Sequence, residues 1–177
     1  MKRGPASPLE QHRCFLKDTI RRTIDFSQTD QHRGVPPPSL EKPFPPDAPR
    51  IDLVPVGRWQ IPGVDLETAI GRRESRRRFS TEALSPDELS FLLWATQGIR
   101  QQLDEGTALR TVPSAGARHA LETYLAVFRV SGLAQGLYRY LPVEHQLLVE
   151  SHEPDMTAAV IPATRGQDFV RSPASRS

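Results

Sequence analysis

Cysteine is almost missing from this 177-residue chain. Cys14 stands alone, which excludes an internal disulfide framework and a multi-cysteine metal site. Long apolar runs are missing as well: nowhere do about 18 consecutive apolar residues occur, so no helical membrane span is expected. The opening Met1-Lys2-Arg3-Gly4-Pro5 leads into polar residues without the apolar stretch of a secretory signal. Nor does one sign of charge dominate. Lys and Arg number 23 against 21 Asp and Glu, and a net charge of +2 is too small to imply nucleic acid from the whole chain. A cytoplasmic protein with one core of modest size is the expectation.

Proline, by contrast, is plentiful and uneven. Nine of the 17 prolines fall between Val35 and Pro62. Proline lacks a backbone donor and fixes φ, so this stretch is read as an extended connector, neither helix nor central strand. Ahead of it, Leu16, Ile20 and Ile24 recur at a spacing that suits a short helix with a thin apolar stripe. The expected division is an N-terminal arm and connector over 1–60, a compact part over 61–170 and a disordered tail over 171–177.

Within the compact part, Asp65 reads as the N-cap of a short helix. Ser85-Pro86-Asp87-Glu88 is a stronger start signal, a capping box with proline at the first helical position, and Gly98 is placed to end that helix. Residues 99–112 are polar and read as a loop. Leu121 to Val130 reads as a buried strand, and 136–141 with 146–149 as a hairpin turning at Pro142-Val143-Glu144-His145. Met156 to Val160 can open a helix, but Pro162 and Gly166 leave it little face to finish.

Two segments could carry chemistry. Arg72-Arg73-Glu74-Ser75-Arg76-Arg77-Arg78-Phe79 offers guanidiniums and a hydroxyl suited to a phosphate, although a solvated basic run or a nucleic-acid patch has the same composition. The run lacks interleaved aromatics, which disfavours nucleic acid. Pro113-Ser114-Ala115-Gly116-Ala117 combines small residues with a glycine free to adopt unusual φ, as a binding loop or a plain tight turn would. His145 and His152 have no carboxylate or cysteine at metal-ligand spacing, so no metal is expected. Tyr138 and Tyr140 read as packing aromatics, Trp94 as core, and Cys14 as an ordinary thiol.

Taken in order, these segments resemble the FMN-dependent nitroreductase superfamily, and within it the SagB-type dehydrogenases. The resemblance runs over 66–150 through Arg73-Glu74-Ser75-Arg76-Arg77-Arg78-Phe79, the Ser85 helix, Pro113-Ser114-Ala115-Gly116-Ala117, Leu121-Glu122-Thr123-Tyr124 and Gly136-Leu137-Tyr138-Arg139-Tyr140. It implies an α+β fold, helices around a mixed or antiparallel sheet, and a homodimer with flavin at the subunit interface. It also implies that Arg73, Ser75 and Arg77 bind the FMN phosphate, and that Pro113, Ser114, Ala115 and Gly116 lie along the isoalloxazine or ribityl part. The flavin supplies the redox chemistry and the protein its position and electrostatics. The substrate implied is a small molecule or a peptide, with oxidation of peptide azolines to azoles as the branch's own reaction. Nicotinamide-driven reduction of nitro or quinone compounds is the wider family's alternative.

Two departures accompany the resemblance. After the small-residue loop stands Arg118-His119-Ala120, where the family carries an apolar-aromatic-proline sequence. Past Gly166-Gln167-Asp168-Phe169-Val170 the resemblance stops, so a truncated member, or one piece of a split protein completed by a partner chain, is expected. No catalytic base is identified. An inert flavoprotein fragment that binds a complete paralogue is the competing expectation.

Overall fold

The computed structural model describes residues 7–15 and 17–167. Leu16 of the expected apolar stripe, Asp168-Phe169-Val170 of the expected next helix and the tail over 171–177 lie outside the described residues. The chain divides into two units, Met1–Pro38 and Ser39–Ser177. This division differs from the expected boundary at residue 60, because residues 39–60 make hydrogen bonds and a strand within the second unit.

The first unit holds helix α1 (Pro8–Phe15) and two short 3-10 turns, Asp18–Thr23 and Phe26–Gln28. The short helix expected on the spacing of Leu16, Ile20 and Ile24 is not a continuous α-helix: Ile20 lies in the first 3-10 turn, which ends ahead of Ile24. Asp25 is one reason: its carboxylate accepts the Ser27 amide at 3.0 Å and starts a new turn there. Ile24 and Phe26 stay exposed.

The second unit is α+β, as expected. Four antiparallel strands form its sheet in the order β1-β6-β5-β4, with β1 at Arg50–Asp52, β4 at Tyr124–Val127, β5 at Gly136–Leu141 and β6 at Gln146–His152. Strand β1 sits at the sheet's edge, the place where a proline-flanked strand is tolerated. Strand β4 is shorter than the stretch expected over 121–130. The β5–β6 hairpin turns at 142–145 as expected, with Tyr140 opposite Leu147.

Helix α2 (Leu66–Gly71) starts at Asp65, whose carboxylate accepts the Thr68 amide. Helix α3 (Pro86–Gln97) has the full capping box: Ser85 Oγ accepts the Glu88 amide at 3.2 Å, and Glu88 accepts the Ser85 amide at 2.9 Å. Leu89 and Leu93 of α3 meet Val127, Tyr138, Tyr140 and Leu147 of the sheet in the core. Gly98 ends α3 in an extended rather than left-handed conformation. Glycine is needed there for space, since a Cβ would stand 2.6 Å from the Trp94 carbonyl oxygen.

Residues 99–112, expected as a loop, contain a hairpin of β2 (Ile99–Asp104) and β3 (Thr107–Arg110). Its turn is fixed by Asp104, which accepts the Gly106 amide at 2.8 Å. Strand β2 is exposed nearly throughout, so its polar composition carried no apolar alternation. Helix α4 (Met156–Ala163) is capped by Asp155 and runs past Pro162, with Met156 as its buried residue.

Within the proline-rich segment, Phe44 packs against arginines of the sheet. Phe44 takes the guanidiniums of Arg139 and Arg50 over its ring at 5.8 and 5.6 Å. Arg139, 1% exposed, reaches Glu150 at 3.2 Å.

Candidate functional site

The loop after β3 carries the strongest local signal. Thr111 anchors its start, donating its amide to the Gly98 carbonyl at 3.0 Å and its hydroxyl to the Trp94 carbonyl at 2.9 Å. Beyond Ser114 the backbone turns left-handed at Gly116 (φ 67°), Ala117 (φ 55°) and His119 (φ 45°). Glycine takes this conformation freely, whereas alanine and histidine are strained by about 1–2 kcal/mol each. Part of that strain is offset inside the loop, where the His119 amide donates to Ser114 Oγ at 3.1 Å.

Ser114 and His119 stand between two clefts. One, of about 320 Å³, is lined by Arg100, Arg110, Thr111, Pro113 and Ala117 beside them. The other, of about 180 Å³, is lined by Gln97, Val112, Pro113, Ala120 and Leu121. Burial and the neighbouring Arg110 charge hold the His119 imidazole below its usual pKa, which favours the neutral ring.

Arg110 is 7% exposed. It donates to the Leu40 carbonyl at 3.0 Å and lies 3.5 Å from Gln97 Oε1, while its Nε has no hydrogen-bond partner. Glu122 and Glu41 are its nearest acidic neighbours, and no described carboxylate forms an ion pair with it. Glu41 in turn is pushed up to about 7, first by burial and then by the charges of Glu144 and Glu122. Glu122 accepts the Lys42 amide at 2.7 Å, and Glu41 accepts the Val143 amide at 3.3 Å.

The expected site residues fall into two groups. Pro113 and Ser114 line both clefts, and Ala115 and Gly116 form the turn beside them. Arg73, Ser75 and Arg77 follow α2 on an exposed segment and line neither cleft. In that segment Glu74 pairs with Arg76 at 2.8 Å. His119, noted in the sequence only as part of the Arg118-His119-Ala120 departure, borders both clefts. Arg118 turns away, donating to the Gly106 carbonyl at 3.4 Å.

A second polar cluster was not legible in the sequence. Ser90, fully buried on α3, accepts from Trp59 Nε1 at 2.8 Å and reaches the Val54 carbonyl at 2.7 Å and His145 Nε2 at 2.8 Å. His145 Nδ1 lies 2.8 Å from the Tyr140 hydroxyl. Every group is satisfied if Tyr140 donates to Nδ1, Nε2–H donates to Ser90 and Val54, and Ser90 donates to Val54. Burial holds His145 below its usual pKa, in keeping with a neutral ring. Tyr140 therefore does more than pack. Up to 91 residues separate these partners, so only the polar residue types themselves hinted at them. Among the described residues no three His, Cys, Asp or Glu side chains form a metal site, and no helix is long and apolar enough to cross a membrane.

No protein-family model matches the sequence. Three proteins, each named a "putative nitroreductase", are similar to it. That of Methanocaldococcus jannaschii is 35% identical over 92 residues, 50% of this chain and 44% of the relative. Over those 92 residues the chain is similar to that protein. It spans less than half the length of that relative. Among crystal structures, the nitroreductase-named protein of Anabaena variabilis shares 24% identity at a TM-score of 0.52, over 72% of this chain and 26% of that one. The one from Ralstonia eutropha shares 30% identity at a TM-score of 0.48, over 68% and 54%. The likeness to the Anabaena structure makes the fold nitroreductase-like.

Proposed function

We propose that the protein is an FMN-dependent oxidoreductase of the nitroreductase kind. The observation that carries this reading is the strained loop at Ser114–His119, set between two clefts and backed by the buried Arg110, on a nitroreductase-like fold. Strain of this sort persists where the surroundings enforce it, and it concentrates at ligand clamps.

The residues present fit a flavin mononucleotide. Arg73, Ser75 and Arg77 are exposed donors suited to a phosphate dianion. Pro113, Ser114, Ala115 and Gly116 offer a compact backbone edge for the ring, and the Ser114 hydroxyl, whose oxygen accepts from His119, keeps its own proton to donate. When bound, FMN supplies hydride transfer. The protein's part is to hold the phosphate, orient the ring along the loop and exclude water from one side.

Within this class the ordered motifs favour the SagB-type branch, which makes a peptide azoline the hydride donor. The expected assembly is a homodimer or a pairing with a complementing chain, in keeping with the apolar Val64, Leu66, Ile70 and Leu121 left exposed.

The test is flavin titration of the full chain, followed by absorbance and fluorescence, with FMN and with riboflavin. Arg77→Ala should weaken FMN about tenfold to hundredfold and riboflavin little, because only FMN carries the phosphate. Equal losses for both would remove Arg77 from the phosphate site. Failure of the unaltered protein to bind either flavin, alone or with a complementing chain, would leave the inert-fragment reading in its place.

A further inference from the structure

Strand β1 stands at one edge of the sheet, with β6 as its partner among the described strands. The register sets Arg50 opposite Leu148, and one step further along the Pro49 carbonyl accepts the Val149 amide at 2.9 Å. Hydrogen bonding alternates along an antiparallel pair, so Ile51 turns its amide and carbonyl to β6, while Arg50 and Asp52 turn theirs outward. Among the described residues no backbone group bonds to those outward amides and carbonyls.

Edge strands are commonly kept apart by charge, because like charges meet when two copies come together. Here the charges act the other way. Strand β1 reads Arg50-Ile51-Asp52, a cation and an anion two residues apart and so on one face of the sheet. Against a second copy running antiparallel about a two-fold axis through Ile51, Arg50 faces the partner's Asp52 and Asp52 faces the partner's Arg50. That register closes four main-chain hydrogen bonds, all at Arg50 and Asp52. Both side chains are exposed and neither is in an ion pair among the described residues: Arg50 stands over the Phe44 ring, and Asp52 accepts Gln146 Nε2 at 2.7 Å. The opposite face of the strand is apolar. There a groove of about 220 Å³ is lined by Ile51, Leu53, Leu89, Val130, Leu133 and Leu147. In the paired register the partner's Ile51 stands beside Ile51, about 4.5–5.5 Å away between Cβ atoms, and adds its apolar surface to that groove.

We infer that β1 is a docking edge for a second copy of this chain, the two sheets joining antiparallel through Arg50-Ile51-Asp52, a segment that is its own complement in charge. With three residues a side the pairing buries little area, so it is a weak and reversible association. It uses none of Arg73, Ser75, Arg77 or the loop over 113–119, nor the exposed apolar residues of the homodimer proposed above. The inference therefore goes beyond the flavin reading and stands or falls without it.

The test is sedimentation equilibrium of the full chain over a concentration series, for the unaltered protein, for Arg50→Asp, for Asp52→Arg and for the two variants mixed in equal amounts. The unaltered protein should show an association step. Each variant sets like charges opposite each other at both ends of the ladder and should weaken that step at least about tenfold. The mixture should restore it, because the two altered positions then face each other across the axis with opposite charges. Both positions are exposed, so neither change disturbs the core. Amide hydrogen exchange at Arg50 and Asp52, read by NMR, should slow with concentration in the unaltered protein. A dimer formed through another surface adds a step that neither variant moves, so the charge-dependent step is the one read. The inference is overturned if no step responds to both variants, or if the mixture behaves like its components. Charge dependence without slowed exchange at those two amides also overturns it, since the contact would then be between side chains and not between strands.

Discussion

The proline-rich segment is held by polar contacts at two places, and the two are built on opposite terms. Around Val54 and Trp59, the Ser90, His145 and Tyr140 side chains close a cluster in which every donor finds an acceptor. Around Leu40 and Glu41, a buried guanidinium lacks a contacting carboxylate and a carboxyl is crowded by others of its own charge. The first is neutral and closed, the second charged and open to a cleft. A satisfied network in a low-dielectric interior rigidifies the fold. An incompletely satisfied one costs stability and persists where a ligand can complete it.

The largest effect expected from breaking this contrast is at Ser90. Ser90→Ala strands the Trp59 N–H in a buried site and should cost about 2–3 kcal/mol in denaturant unfolding. A loss within error of zero would mean that water replaces the hydroxyl and the cluster is not closed.

Acid should act on the closed cluster. Because the folded-state pKa of His145 is depressed, its stabilising contribution is present above the usual imidazole value and is lost as pH falls through the lowered one. His145→Gln should therefore flatten the acid side of the stability profile, read as Tm against pH.

Base should act on the open cluster, with the opposite sign. Glu41 is raised to about 7, so its contribution is full below about 4.5 and declines as pH rises through 7. Glu41→Gln should remove that decline, a gain of about 1 kcal/mol at pH 8 after allowance for solvent screening. An unchanged slope between pH 5 and 8 would mean that solvent already screens the carboxyl.

A change outside both clusters calibrates the scale: Ser85→Ala, by removing the cap of α3, should cost about 1 kcal/mol of stability. Arg110→Met should give the smallest change. Replacing an incompletely paired buried ion with an apolar chain is often neutral, so ligand-free stability should move by less than about 0.5 kcal/mol, measured by the same unfolding. A loss comparable to that of Ser90→Ala would make Arg110 a structural clamp on Leu40, and the contrast would disappear.

Local chemistry determined by the sequence alone includes the cap at Asp65, the capping box at Ser85, the β5–β6 hairpin and the glycine within 113–117. Each depends on residues a few positions apart, where side-chain and backbone preferences act directly. The same locality made Pro113, Ser114 and Gly116 visible as a candidate loop. Tertiary structure decided what depends on distant partners. The exposed strand β2 has no apolar alternation to reveal it, and its pairing with Thr107–Arg110 supplies the reason it is a strand. Arg110 looked no different from the other arginines until folding buried it beneath Leu40 and beside Ser114. His145 looked solitary until Ser90, Val54 and Tyr140 converged on it. Burial sets the cost of a charge and the value of a hydrogen bond, and burial is a property of the whole fold that no short stretch of sequence carries.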